Sequence, residues 1–206
     1  MPKICCLSPS GRSAEAYMGS GASNEKEKGG GGGAPAPAEA APPQTDSRLP
    51  YQNFRELYTL KNFWKTIKRN EADCAKTMLF KYLSANPEHA SKYAKLKGLD
   101  VSSASVRENK TFETVAMAYL QVFDNVISSV EANPSDASEA CNKLMAVGKT
   151  HKKVAGMDSG TFQLLEDPFL HMVSDVMQDR YNDKAENLFR KFFQFCLKYL
   201  TEGYNS

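Results

Sequence analysis

The stretch LMAVGKTHKKVAGM, residues 144–157, carries one of only three histidines in this 206-residue chain. His151 follows Leu144 by seven residues and Val147 by four, and residues at those offsets share one face of an α-helix. An imidazole on an apolar helix face has two readings. It is a core histidine whose N–H is satisfied by a backbone carbonyl, or it is a ligand aimed into a site. The stripe itself does not choose between them, so the decision rests on the surroundings.

Those surroundings are helical from Tyr51 onward. Leu57, Leu60, Trp64 and Ile67 fall on one stripe, and Met78, Leu79 and Tyr82 mark a second helix that ends before Pro87. A residue preceding proline is pushed out of helical conformation, so SANPEH (84–89) reads as a turn with a short helix starting at the proline and carrying Tyr93. Residues 109–131 give the clearest helix: Phe112, Val115, Ala116, Tyr119, Leu120, Phe123, Val126, Ile127 and Val130 recur at helical spacing. Asn133-Pro134 breaks it, and Ser135 or Asp136 reads as the cap of the next helix, which holds Cys141, Leu144, Val147 and His151. Another helix carries Phe162, Leu165, Phe169, Met172, Val173 and Val176; Pro168 inside it predicts a kink or a shifted start. The last, from about Asp183 to Leu200, is the most aromatic, with Phe189, Phe192, Phe193, Phe195 and Tyr199. No strand-like alternation of useful length occurs. The reading is an all-α domain over residues 51–206.

Residues 1–50 read as a disordered extension. The run GGGGGAPAPAEAAPPQ (29–44) has too few large apolar groups to offset the entropy of ordering. Cys5 and Cys6, beside Lys3, admit S-acylation and membrane contact; the competing reading is two exposed thiols in a tail, and a single lipid signal anchors weakly. Five cysteines without a CxxC pair, and no apolar run of a signal core, read as free thiols in a reducing compartment. Cys74, Cys141 and Cys196 read as small core residues. With 26 basic against 24 acidic residues, bulk charge gives no case for nucleic acid. No stretch reaches the roughly 18–20 apolar residues of a membrane span. The expectation is a soluble, cytoplasmic protein.

His89, in a polar helix start, and His171, off its helix stripe, read as exposed. That leaves His151. Zinc needs three or four ligands at short spacings, and neither HxxxH nor CxxC occurs. A serine or cysteine hydrolase needs a nucleophile coupled to a base, and there is no GxSxG. A lone histidine among helices with a large aromatic core suits haem, because the porphyrin supplies the iron's other four nitrogens.

Several segments in register carry a family resemblance. They are Trp64 with Ile67; MLFKYLSANPEHASKYAKL (78–96) with Pro87 and Tyr93; FETV (112–115); VGKTH (147–151); and the aromatic segments FQLLEDPFLHMV (162–173) and AENLFRKFFQFCLKYL (185–200). Together they resemble the globin family over about Leu57 to Tyr199, and the long N-terminal extension is similar to that of invertebrate, nematode-like members. The resemblance implies a three-over-three globin fold with haem b (iron protoporphyrin IX) between the distal and proximal helices. It implies His151 as the iron ligand, its second ring nitrogen donating to a carbonyl or hydroxyl one turn back. Leu79, Tyr93, Val115, Tyr119, Val147, Met157, Phe162 and Leu165 would contact the cofactor.

The departures from the family are on the other side of the haem. The distal histidine aligns with Val115, a register supported by Phe112 and by Asp124, an acid also found in neuroglobin-like chains. Valine neither ligates iron nor hydrogen-bonds a gas. One turn on, the usual small apolar residue aligns with Tyr119. Its hydroxyl is either bonded elsewhere as part of the packed stripe, or reaches the ligand as donor; direct phenolate ligation is a third option. Tyr93 stands where the family has phenylalanine, adding a hydroxyl that needs a partner. The link between distal and proximal helices is a few residues longer than in neuroglobin-like chains.

Three functions follow from the resemblance. The first is a globin that reversibly binds oxygen, nitric oxide or carbon monoxide, for storage, sensing or redox signalling. The second is a haem redox enzyme acting on nitric oxide, nitrite or peroxide with an outside electron donor. The third is a haem-less interaction module. The first is the expectation, with the chain a gas-binding protein more than an enzyme.

Overall fold

The computed structural model describes residues 44–51 and 53–206. The extension before them, with Cys5 and Cys6, lies outside the described residues. Six α-helices appear: α1 Phe54–Arg69, α2 Glu71–Ala85, α3 Lys110–Ala132, α4 Ser138–His151, α5 Glu166–Met177 and α6 Asp183–Asn205. Short 3-10 turns join them, and among the described residues there is no strand. Nor is any described helix long and apolar enough to cross a membrane.

The helix ends are where short polar side chains meet unpaired N–H groups. Asn53 accepts from the Glu56 amide at 3.1 Å, Asn109 from Thr111 at 2.8 Å and Asn182 from Ala185 at 3.0 Å. Pro87 opens a 3-10 turn to Lys92, in place of the α-turn expected there, and Tyr93 is its cap. The cap of α4 differs from the expectation. Ala137 is the capping residue, its amide held by Asp46 at 2.8 Å, while Asp136 takes the Ser138 amide at 2.9 Å. Pro168 shifts the start of α5: it is the helix's third residue, in the first turn, where a missing N–H costs no intrahelical bond.

The helices stack three over three, with the most extensive contacts between α4 and α6, α2 and α3, and α2 and α5. The core between them is aromatic. Phe123 of α3 meets Phe169 of α5 at 4.9 Å between ring centroids, and both pack on Phe192 and Phe193 of α6. Trp64 is anchored through its indole N–H, which donates to Asp124 at 2.9 Å and ties α1 to α3. Buried Glu166 is neutralised by Arg190 at 2.9 Å and receives further bonds from Gln194 and Gln163. Cys74, Cys141 and Cys196 are buried free thiols. Burial pushes the Cys74 thiol up to about 11 and holds that of Cys196 well above the ordinary thiol range, so these two behave as small apolar residues.

Two features lie outside the expected limits. Residues 44–51 pack on the helices, with Leu49 and Tyr51 buried in the core, so the packed region reaches further N-terminal than Pro50. Helix α6 continues past Leu200 to Asn205. That extension lies on α4, its most extensive partner. The two backbones touch at glycines. A Cβ on Gly148 would sit 2.1 Å from the Leu200 carbonyl oxygen, and one on Gly203 2.1 Å from that of Met145. No side chain fits at either place.

Two outcomes follow. Gly203→Ala forces the helices apart at a backbone atom that cannot step aside, so it should cost about 1–3 kcal/mol, a fall in thermal midpoint of roughly 3–10 °C by calorimetry; an unchanged midpoint would refute the contact. Asp46 is bonded to the Arg48 guanidinium and the Ala137 amide, and Arg48 holds its carboxyl well below the usual carboxylate range. A depressed folded-state pKa gives stability that is full above the unfolded value and is lost as pH falls. Asp46→Asn should therefore lower stability at pH 7, and the gap to the wild type, read from denaturant midpoints, should close below about pH 4.

Candidate functional site

Between α3 and the end of α4 lies a cavity of about 330 Å³, within the usual range of small-molecule sites. Its position follows from the two helices. Along α3, Thr114, Val115, Ala118, Tyr119 and Val122 recur on one face and line one wall. Val147, His151, Val154 and Met157 line the opposite wall, and Phe162 and Leu165, from the segment leading into α5, close the floor. Lys92, Tyr93 and Lys95 contribute from the turns after α2. Apart from His151, the tyrosines, two threonines and the lysines, the lining is apolar.

Seven of the eight expected contact residues line this cavity: Tyr93, Val115, Tyr119, Val147, Met157, Phe162 and Leu165, together with His151. Leu79 does not. It is completely buried in the core on α2, behind the wall. The periodicity of α2 places it inward correctly, but inward there means toward the neighbouring helices. The sequence reading also missed Tyr82, whose ring reaches the lining from the same helix.

His151 is the last residue of α4. Its Nδ1 lies 2.8 Å from the Val147 carbonyl oxygen, one turn back, and is the donor in the tautomer that makes this bond. Nε2 has no partner among the described residues. Phe162 packs edge-on against the imidazole, with ring centroids 5.4 Å apart, and Tyr204 packs edge-on against Phe162 at 5.9 Å. The Tyr204 hydroxyl donates to the Met157 carbonyl at 2.7 Å and so holds the segment that follows α4. The ring is thus fixed by one hydrogen bond and one aromatic contact.

The opposite wall has no imidazole. The Tyr93 and Tyr119 hydroxyls share a short hydrogen bond, which supplies the partner that the extra oxygen of Tyr93 requires. The Tyr82 hydroxyl lies 2.7 Å from Nδ1 of His89. His89 is therefore not the exposed residue expected: its side chain retains only 13% of its accessible surface. His171 is exposed as expected, beside Asp175 at 3.4 Å. Burial pushes the phenols of Tyr82, Tyr93 and Tyr119 well above the ordinary tyrosine range, so all three keep their protons at neutral pH.

Two further observations concern what the site can hold. Among the described residues no group of three or more His, Cys, Asp or Glu side chains is placed to hold a bare metal ion. A single imidazole in an apolar cavity suits instead a metal that arrives with most of its ligands, and flat apolar surface to bury.

The family model described as Globin matches residues 76–199. A hexacoordinated haem protein from an anhydrobiotic tardigrade, known from a crystal structure at pH 4, superposes with a TM-score of 0.71 at 23% identity, covering 79% of this chain and 100% of its own. Haemoglobin from the botfly Gasterophilus intestinalis gives a TM-score of 0.63 at 17% identity, covering 75% and 99%. At these identities the likeness is one of fold. No curated protein matches the sequence.

Proposed function

The chain belongs to the globin family, and from that premise we propose that it binds haem b through His151 and takes a diatomic gas (oxygen, nitric oxide or carbon monoxide) in the cavity beside Tyr119. The observation that carries the proposal is the state of His151. One ring nitrogen is tied to the Val147 carbonyl, while the other has no partner among the described residues at the wall of an apolar cavity. A packed core histidine would need only the first of these features. An unpartnered nitrogen facing a cavity is the arrangement of a ligand held in one tautomer.

Haem would supply an iron with an axial position open to a small ligand. The protein's share of the work is holding, shielding and hydrogen bonding. Val147, Met157, Phe162 and Leu165 offer apolar contact to the porphyrin faces. Lys92 and Lys95, at the cavity wall, are the cations able to pair with its carboxylates. The bond from Nδ1 to Val147 orients the imidazole and makes it a stronger base. Val115, on the cavity wall, has no atom to offer the iron and so would not compete with the gas. With Tyr93 as the donor in their shared hydrogen bond, Tyr119 would retain its own O–H for the gas. A buried donor to a partly charged acceptor is worth roughly 1.5–3 kcal/mol, or one to two decades in affinity.

Absorption spectra test the first part. The wild type should take up haem with a strong Soret band, and His151→Ala should lose it or bind haem far more weakly; a wild type that takes up no haem overturns the proposal. Stopped-flow kinetics test the second. Tyr119→Phe keeps the ring and removes the donor, so oxygen dissociation should accelerate at least about tenfold. An unchanged rate would show that the Tyr119 hydroxyl does no work on the ligand.

A further inference from the structure

Two phenols in the cavity lining are hydrogen-bonded to each other, and they come from different elements. Tyr119 stands on α3, and Tyr93 lies in the turns after α2, capping one 3-10 turn and preceding the next. The Tyr93 amide donates to the Ala90 carbonyl at 3.1 Å, and its carbonyl accepts from Leu96 at 2.9 Å, so the backbone beneath the ring is held on both sides. The two rings lie 6.3 Å apart between centroids, tilted by 46°. The other hydroxyls of the lining have partners of their own. Thr114 donates to the Lys110 carbonyl at 2.9 Å, Thr161 is bonded to Asp158, and Tyr82 to His89.

We propose that Tyr93 is a positioning residue, which holds the Tyr119 hydroxyl where a gas in the cavity can accept from it. The role deepens the haem reading above and rests on it. Proton counting supports it and requires no fixed donor in the empty cavity. The pair has two O–H protons and one shared bond, so one proton is always left over. A diatomic gas has lone pairs to receive with and no proton to give. Once it accepts from Tyr119, that oxygen can only receive from Tyr93, so the ligand itself selects the order of donors. A hydroxyl that receives one bond is also the stronger donor of the next, because bonds in a chain polarise one another.

Tyr93 therefore acts on the gas at one remove and in two ways. It fixes a hydroxyl that would otherwise rotate, and it strengthens that hydroxyl as a donor. Both effects scale with the charge on the acceptor. The pair should favour a strongly polarised ligand such as oxygen over a weakly polarised one such as carbon monoxide, which makes Tyr93 a determinant of selectivity as well.

The test uses the full chain as wild type, Tyr93→Phe, Tyr119→Phe and the double variant. Tyr93→Phe keeps the ring and gives the residue that the resemblance places there, so the fold should survive it. By proton NMR, the wild type should show a low-field hydroxyl resonance from the shared bond, absent from both single variants; its absence from the wild type overturns the inference. In the ferrous haem protein with carbon monoxide as probe, the C–O stretch should move to higher frequency in Tyr93→Phe, and the double variant should match Tyr119→Phe. Oxygen dissociation should accelerate about two- to tenfold in Tyr93→Phe, with a smaller change for carbon monoxide and no further change when Tyr93→Phe is added to Tyr119→Phe. An unmoved C–O stretch in Tyr93→Phe overturns the role. So does an equal effect of Tyr93→Phe with Tyr119 replaced, because Tyr93 would then act on the gas directly or through packing. Normal haem uptake with an inert Tyr93→Phe sinks this role and leaves the function standing; a chain that takes up no haem sinks the function, and the role toward the gas with it.

Discussion

Helices α4 and α6 meet backbone against backbone, and the site is built on that contact. Two residues without side chains, Gly148 and Gly203, let the helices approach until an added Cβ would overlap a carbonyl oxygen at 2.1 Å. Everything on the proximal wall is measured from there. His151 lies three residues beyond Gly148, about one turn, so the helix cannot roll or slide without carrying the imidazole with it. Tyr204 follows Gly203 directly, and its hydroxyl reaches across to the Met157 carbonyl. Phe162 sits between the two rings, edge-on to each. A close approach of backbones is a stiffer locator than a layer of leucines, because it has no rotamers through which to yield.

The distal wall is placed by different means. Helix α3 is long and apolar on one face, with Asn109 holding its first amides and the Trp64–Asp124 bond tying its middle to α1. That fixes the helix but leaves the cavity's polar character to a few oxygens. A phenol in apolar surroundings is costly unless bonded. Here the cost is met pairwise, Tyr93 with Tyr119 and Tyr82 with His89. The cluster of Phe123, Phe169, Phe192 and Phe193 avoids the problem by carrying no oxygens, and at Glu166 one carboxylate is surrounded by Arg190, Gln163 and Gln194.

Much of this is visible in the chain itself. Helices with a strong stripe read correctly, because burial of one face dominates their energetics: Leu57, Leu60, Trp64 and Ile67 are all buried on α1, as are Phe112, Ala116, Leu120 and Phe123 on α3. The shared stripe of Val147 and His151 is legible because both face inward on α4, and both line the cavity. What escaped the reading was set by partners distant in sequence. Asp46 holds an amide 91 residues away, which is why neither Ser135 nor Asp136 is the capping residue. Leu79 and Tyr82 differ by less than one turn, yet the first is sealed behind the wall and the second reaches it, a distinction periodicity does not make. His89 looked exposed because its neighbours in sequence are polar. Only the bend at Pro87 brings it back against Tyr82 on the preceding helix.

The pairing of a valine with a tyrosine on the distal side then has a consistent physical logic. An imidazole at that wall both donates a hydrogen bond and competes for the metal, so affinity for a gas is set against internal ligation. A phenol that keeps its proton in an apolar cavity does only the first. On the proposed haem reading, Val115 would offer nothing that competes, and a hydrogen bond to the gas would come from Tyr119, one turn further along. The longer reach would ordinarily cost conformational freedom, since a free hydroxyl rotates. The bond between Tyr119 and Tyr93 removes most of that freedom in advance, so less remains to be lost when a ligand is bound.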